Sequence, residues 1–289
     1  MYNVYRHIAL AAYTIAAISL SSCGGSTDNK GNEAQVAFDE AQREYDNGDA
    51  RQCIALLDSL DSKYAKDMDV MKQSMGLRPK ALLQIAVEDI AAADSIINAN
   101  KERIDSLRPL MTHIDVPGTE GYSICNSMAD ANFMNKTGVS ARVSEIGEFY
   151  LVSSVNPAGG LKHWSVSAVV GDKIATTDTV ACDGALNFRV NNSEVITFTP
   201  AGSKEIGELV ASNEGLPVKI LFNGQNGSSK SITLNAKLIN GIATAYRYAK
   251  AVNDMRDATI DRERLNARAD KLQQQIGNNG NSGVENTGK

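Results

Sequence analysis

A chain of 289 residues, 43% hydrophobic and 22% charged, has enough material for one or two folded domains and is neither a disordered polymer nor a multispanning membrane protein. Its formal charge of −5 excludes a nucleic-acid binder that works by bulk positive charge. Three histidines with no close pair and four cysteines leave little for a metal centre, so neither a metal nor a cofactor is expected.

Residues 1–22 read as an export signal. Arg6 and His7 close a short start without acids, and the run IALAAYTIAAISL over 8–20 is apolar throughout. A spanning helix needs about 20 such residues, so this shorter run reads as the apolar stretch of a signal peptide. Leu20, Ser21, Ser22 and Cys23 end it. This tetrapeptide resembles the lipobox of bacterial lipoproteins, where the signal peptidase cuts before the cysteine. The resemblance implies that Cys23 is acylated and becomes the mature N-terminus, with membrane lipid as its partner. Several acyl chains on one residue exceed the two signals that stable anchoring takes. The mature chain is therefore expected on a leaflet of the cell envelope, the outer membrane first, without crossing it.

Residues 23–32 carry the acylated cysteine and GGSTDNKGN, a stretch without an apolar side chain that reads as a flexible tether. Residues 33–107 are expected to be helical. Ala37, Ala41 and Tyr45 form one stripe, Asn47 and Gly48 stop it, and Asp49 can cap a second helix with Cys53, Ile54, Leu57 and Leu60 on one face. This hairpin resembles a single tetratricopeptide repeat, without the terminal proline and without a second copy in register. An array needs about three units, so the hairpin must bury its apolar face elsewhere. A break is expected around 76–79. A longer helix then runs over 80–107, with Leu83, Val87, Ile90, Ile97 and Ile104 in a heptad-like seam interrupted by Asp94 and Lys101, and Pro109 ends it.

Residues 108–235 change character. β-Branched residues alternate with polar ones, and strands are expected at 121–126, 139–145, 148–155, 163–170, 173–177, 185–190, 194–199, 218–222 and 231–234, with a short helix at 203–212. Their spacing suits an antiparallel sheet or sandwich. Residues 236–276 form a long helix with Leu238, Ile242, Ala245, Ala249 and Val252 on one stripe and Leu265, Ala269, Leu272 and Ile276 on a second. Residues 277–289 read as a disordered tail. The segment 33–107 holds 15 acids and 9 bases, net −6, and 236–289 holds 6 acids and 9 bases, net +3. The fold class is thus α+β, with the long C-terminal helix paired against the N-terminal helices as a coiled-coil-like stalk and the β segment as a head.

Nucleophilic catalysis needs a serine or cysteine with a histidine and an orienting acid. Cys125, His113 and His163 lie in or beside the β segment, but no family signature surrounds them, and no catalytic residue is expected. His163 and Trp164, the single tryptophan, are the candidate ligand contacts, with core packing the stronger reading. Glu145 and Glu148 flank a turn and read as solvated acids. The stretch Asn156-Pro157-Ala158-Gly159-Gly160 lacks the ending of a phosphate loop. Asp39, Glu40, Glu44, Asp46 and Asp49 read as a solvated helix face. Cys53, Cys125 and Cys182 read best as free thiols, with a Cys125–Cys182 disulfide left open.

Taken whole, Leu20–Cys23, the hairpin over 33–64, the strand GEFYLVSSV over 147–155 and the helix over 235–276 resemble uncharacterised envelope lipoproteins of Bacteroidetes. The resemblance covers most of the mature chain and brings no catalytic residues with it. The expected function is a non-enzymatic, lipid-anchored module that binds another envelope protein or supports an envelope assembly. The alternatives are an accessory subunit of an outer-membrane assembly or export machine, and a glycan- or small-ligand-binding lipoprotein.

Overall fold

The computed structural model describes residues 27–281 apart from 119, 131 and 191. The signal segment with Leu20, Ser21, Ser22 and Cys23, and the chain beyond 281, lie outside the described residues. Among the described residues three helices are followed in chain order by eight strands, a fourth helix, two further strands and a fifth helix.

The first compact unit takes the residues up to Leu82 together with those from Asn279 on. It contains α1 (Thr27–Asp46), α2 (Ala50–Tyr64) and the first part of α3 (Met68–Leu107). Ala34, Phe38 and Ala41 of α1 are buried together with Cys53, Leu57 and Leu60 of α2. Asp49 caps α2 as the sequence suggests, its carboxylate accepting from the Gln52 N–H at 2.9 Å. The surface that completes the hairpin comes from α3. Val70, Leu77 and Ala81 are buried on it, Arg78 bridges to Asp61 at 2.7 Å, and Ser74 donates to Asp61 at 3.2 Å.

Two expectations are corrected here. Helix α1 begins at Thr27, inside the segment read as a tether. And α3 runs unbroken through Gly76 and Pro79, where a break was expected. A proline in a helix interior costs about 3 kcal/mol. Buried Leu77 and Ala81 on either side, with Arg78 tied to α2, hold the helix through it.

The second unit spans Leu83–Asn278. It holds the rest of α3 and a six-stranded antiparallel sheet of β1 (Met111–Ile114), β2 (Tyr122–Cys125), β3 (Gly138–Val143), β4 (Phe149–Val155), β8 (Ser193–Thr197) and β7 (Asn187–Val190), in that order. A second, four-stranded antiparallel sheet runs β10 (Ser229–Thr233), β9 (Lys219–Gly224), β5 (His163–Val170) and β6 (Lys173–Thr176). Leu151, Val155 and Ile196 of the first sheet meet Val166, Ala168, Ile220 and Phe222 of the second in one core. Ile206 and Val210 of α4 (Pro200–Ser212) and Ile239, Ile242, Ala245 and Ala249 of α5 (Ala236–Asn281) join it.

The α+β class is thus that of the molecule, and each expected strand is present within a few residues of its place. Strand β1 was not foreseen, and α5 continues beyond 276 into the segment read as tail. Within this unit Arg262 of α5 reaches Asp94 of α3 at 3.1 Å. Among the described residues no helix is long and apolar enough to cross a membrane.

Candidate functional site

Strand β5 begins with an irregularity that decides where its polar side chains go. His163 pairs with Gly224 and Ser165 with Asn223, so Trp164 is an extra residue with no partner on β9. Simple alternation would set His163 beside Ser165 and Ser167, on the face away from the core. The bulge shifts the phase by one and puts His163 on the core face with Val166. There its ring stands edge-on to Phe222, centroids 6.0 Å apart. The adjacent candidate, Trp164, stays 37% exposed. The two residues singled out together in the sequence therefore point into different environments.

On the facing sheet, Ser153 and Glu194 share the core-facing phase of their strands with Leu151 and Ile196. All three polar residues are 0% exposed. The Ser153 hydroxyl lies 2.9 Å from His163 Nε2, and His163 Nδ1 lies 2.8 Å from Glu194 Oε2. The same oxygen accepts the His163 backbone N–H at 2.9 Å. The other carboxylate oxygen accepts from the Asn187 amide at 3.4 Å and from Arg189 at 3.5 Å. Asn187 Oδ1 is buried without a partner among the described residues.

Electrostatics fix the protons. Burial pulls the His163 ring below its ordinary value of 6.5, by more than the bond and charge of Glu194 raise it. Burial also pushes Glu194 up, but the donors from His163 and Asn187 together outweigh it and hold the carboxyl below its ordinary 4.5. A neutral imidazole beside an ionised carboxylate must carry its proton on Nδ1, because a carboxylate only accepts. Nε2 is then an acceptor, and the Ser153 hydroxyl donates to it.

Serine, histidine and acid thus stand in the order of a nucleophile, its base and an orienting group. A nucleophile must also touch its electrophile. In this conformation Ser153 is sealed between the sheets, and the network bonds one sheet to the other. The cysteines do not join it. Cys125 Sγ lies 3.4 Å from Ser127 Oγ, and Cys53, Cys125 and Cys182 are all free thiols, with the Cys125–Cys182 pair unbridged. His113 is elsewhere too, its Nε2 3.4 Å from Asp115. Glu148 accepts the Tyr150 hydroxyl at 2.5 Å; burial, then this bond, push that phenol up to about 12. Ser153 and Glu194 are the partners that sequence reasoning missed. Their signal was parity: Glu194 falls in phase with Ile196 and Phe198, both fully buried.

Among the described residues no group of three or more metal-ligating side chains gathers. Comparison with known protein families, with curated proteins and with solved structures finds no match to this chain.

Proposed function

We propose that this chain is a lipid-anchored lipoprotein of the cell envelope, held through acylated Cys23, that binds or supports another envelope protein without catalysing a reaction. The observation that carries the partner-binding part is the display of large apolar side chains on long helices. On α3, Val87 is 55% and Ile96 47% exposed, and on α5 Ile260 is 39% exposed. Single exposed apolar residues are common. Here they stand on helices that bury other apolar residues, Ala86, Ala93 and Ile104 on α3 and Ala251 and Leu272 on α5, and such exposed side chains are what a helix offers as anchors to a second protein. The sealed state of Ser153, His163 and Glu194 supports a structural role for the polar network. The anchor rests on Leu20–Cys23 and the apolar run before it.

A second reading has one observation of its own. Trp164, the extra residue of the β5 bulge, keeps 37% of its surface exposed, whereas Ser165 and Ser167 are buried and bonded by the Asn223 amide at 3.1 and 2.9 Å. An exposed aromatic ring offers an apolar face on which a sugar can stack.

The test of the leading reading is made in living cells. A photocrosslinking amino acid at Val87 or Ile96 should give a discrete adduct with an envelope protein, and one at exposed Glu102 should not. The same adduct at all three positions, or none at any, removes the partner-binding claim. Cys23→Ala should move the chain from the membrane to the soluble fraction. Retention in the membrane removes the anchor.

A further inference from the structure

A hollow of about 340 Å³ in the second unit gathers several polar side chains, of which His113 also faces Asp115 at 3.4 Å. Arg108, Met111, His113, Ser123, Glu145 and Tyr248 line it, from the end of α3, strands β1 and β2, the β3–β4 turn and α5. The backbone explains why these side chains converge. Met111 and His113 alternate onto one face of β1, and Ser123 lies directly opposite His113 across the ladder. Ser123 also pairs with Val143, the last residue of β3, so the turn that follows brings Glu145 to the same place.

That turn is fastened to α5. Gly147 adopts φ +83°, and a Cβ there would sit 2.6 Å from Asn253 N and 2.8 Å from Ala249 O. Arg256 of α5 donates to the Ile146 carbonyl at 3.1 Å. Tyr248, one helical turn before Val252, is therefore held against the turn that carries Glu145. Its ring also packs on the edge of the core.

The guanidinium of Arg108, the carboxylate of Glu145, the phenol of Tyr248 and the hydroxyl of Ser123 make no hydrogen bond or ion pair with another described residue. Arg108 and Glu145 carry opposite charges and line one hollow, yet they do not come within the 4.0 Å of an ion pair. Two unlike charges held apart over a small space match a ligand that carries both. Arginine suits a carboxylate, which it binds through two parallel donors, and a glutamate suits an ammonium. Met111 and the Tyr248 ring supply apolar wall between them. The volume lies at the lower end for ligand pockets. We propose that this hollow binds a small zwitterion of amino-acid to dipeptide size. Its carboxylate lies on Arg108, its ammonium on Glu145 and its apolar side chain against Met111 and Tyr248. This goes beyond the partner-binding reading and does not depend on it.

Isothermal titration of the purified full chain tests it, with the dipeptide Gly-Leu, its N-acetyl and C-amide derivatives, and free leucine. Gly-Leu or leucine should bind saturably, and capping either charge should weaken binding about tenfold or more. Leucine in preference to Gly-Leu identifies a free amino acid as the ligand, and the reverse a peptide. Glu145→Gln should bind free and acetylated ligand equally, and Arg108→Gln should bind free acid and amide equally. Both sites are exposed, and circular dichroism checks that each variant is folded. No saturation by Gly-Leu or leucine up to about 10 mM overturns the proposal. So does either variant that keeps the discrimination of the parent chain.

Discussion

His163 holds a neutral ring where no water reaches, and this makes the fold sensitive to mild acid. In the unfolded chain the ring takes a proton near 6.5, whereas the folded ring resists it. Below that pH the unfolded state binds the extra proton, so stability falls as pH falls, by at most about 1.4 kcal/mol per pH unit. Glu194 acts in the same direction at lower pH. Its carboxyl is held below 4.5, so its contribution is present above that value and is lost as pH drops through the folded one. The urea midpoint should therefore decline between about pH 6.5 and pH 5, and His163→Gln should remove that part of the decline. A midpoint that is flat across this window in the parent chain contradicts the assignment of a neutral ring. The carboxylate should matter most among the three residues. Glu194→Ala strands the ring N–H and the backbone N–H of His163. A loss of about 3 kcal/mol is expected, against about 1 kcal/mol for Ser153→Ala. Both should appear as lower urea midpoints at an unchanged slope.

Alternation and turn residues placed the strands at the level of elements, because side-chain parity is local information. The site escaped the same logic through one residue. Core packing is the stronger reading of the sequence for both His163 and Trp164, and it holds for the histidine alone, 0% exposed against 37% for the tryptophan; strict alternation would set His163 with Ser165 and Ser167 instead. The insertion of Trp164 into the ladder is set by pairing with β9, some sixty positions away, and no nearby residue announces it. Helix α3 was misread for a related reason: Pro79 signals a break locally, and only packing against α2 overrides it. Helix α4 shows how closely the elements meet. Gly207 lies under two aromatic rings, and a Cβ there would come within 2.5 Å of Tyr246 and 2.8 Å of Phe149. Those rings already pack edge to face at 5.5 Å. Alanine is the better helix former by about 1 kcal/mol, so propensity alone predicts that Gly207→Ala stabilises. Overpacking costs about 1–3 kcal/mol and should win. A lowered thermal midpoint is the expected result, and a raised one means the rings can move aside.

The β domain fixes both long helices of the second unit at one end, since α3 leads into it and α5 leads out. Several of their buried positions keep a heptad phase, Ala86, Ala93 and Asn100 at seven-residue steps on α3, and Ala251, Ala258 and, two heptads further, Leu272 on α5. The opposite net charges of the two segments anticipated attraction, and Arg262–Asp94 realises it at one point. An exposed pair of this kind adds about 0.2–1 kcal/mol, so most of the stability of these helices has to come from their buried positions. The stripe expected on α3 held Leu83, Val87, Ile90, Ile97 and Ile104, yet Val87 is 55% exposed and the positions buried with Ile104 are Ala86, Ala93 and Asn100, because a heptad pattern fits several registers and does not say which one packs. Asn100 is the anomaly among those buried positions. It is 5% exposed, its amide donates to Ile96 O of its own helix at 3.0 Å, and its Oδ1 has no partner among the described residues. A buried polar residue in a seam commonly selects one register at a cost in stability. Here the β domain already sets the register by holding the helix ends, so the selecting role is redundant and the cost remains. Asn100→Leu fills a similar volume and removes an unsatisfied acceptor worth about 1–3 kcal/mol. The urea midpoint should therefore rise with an unchanged slope. A fall in the midpoint means that Oδ1 has a partner in solution and that the seam depends on it.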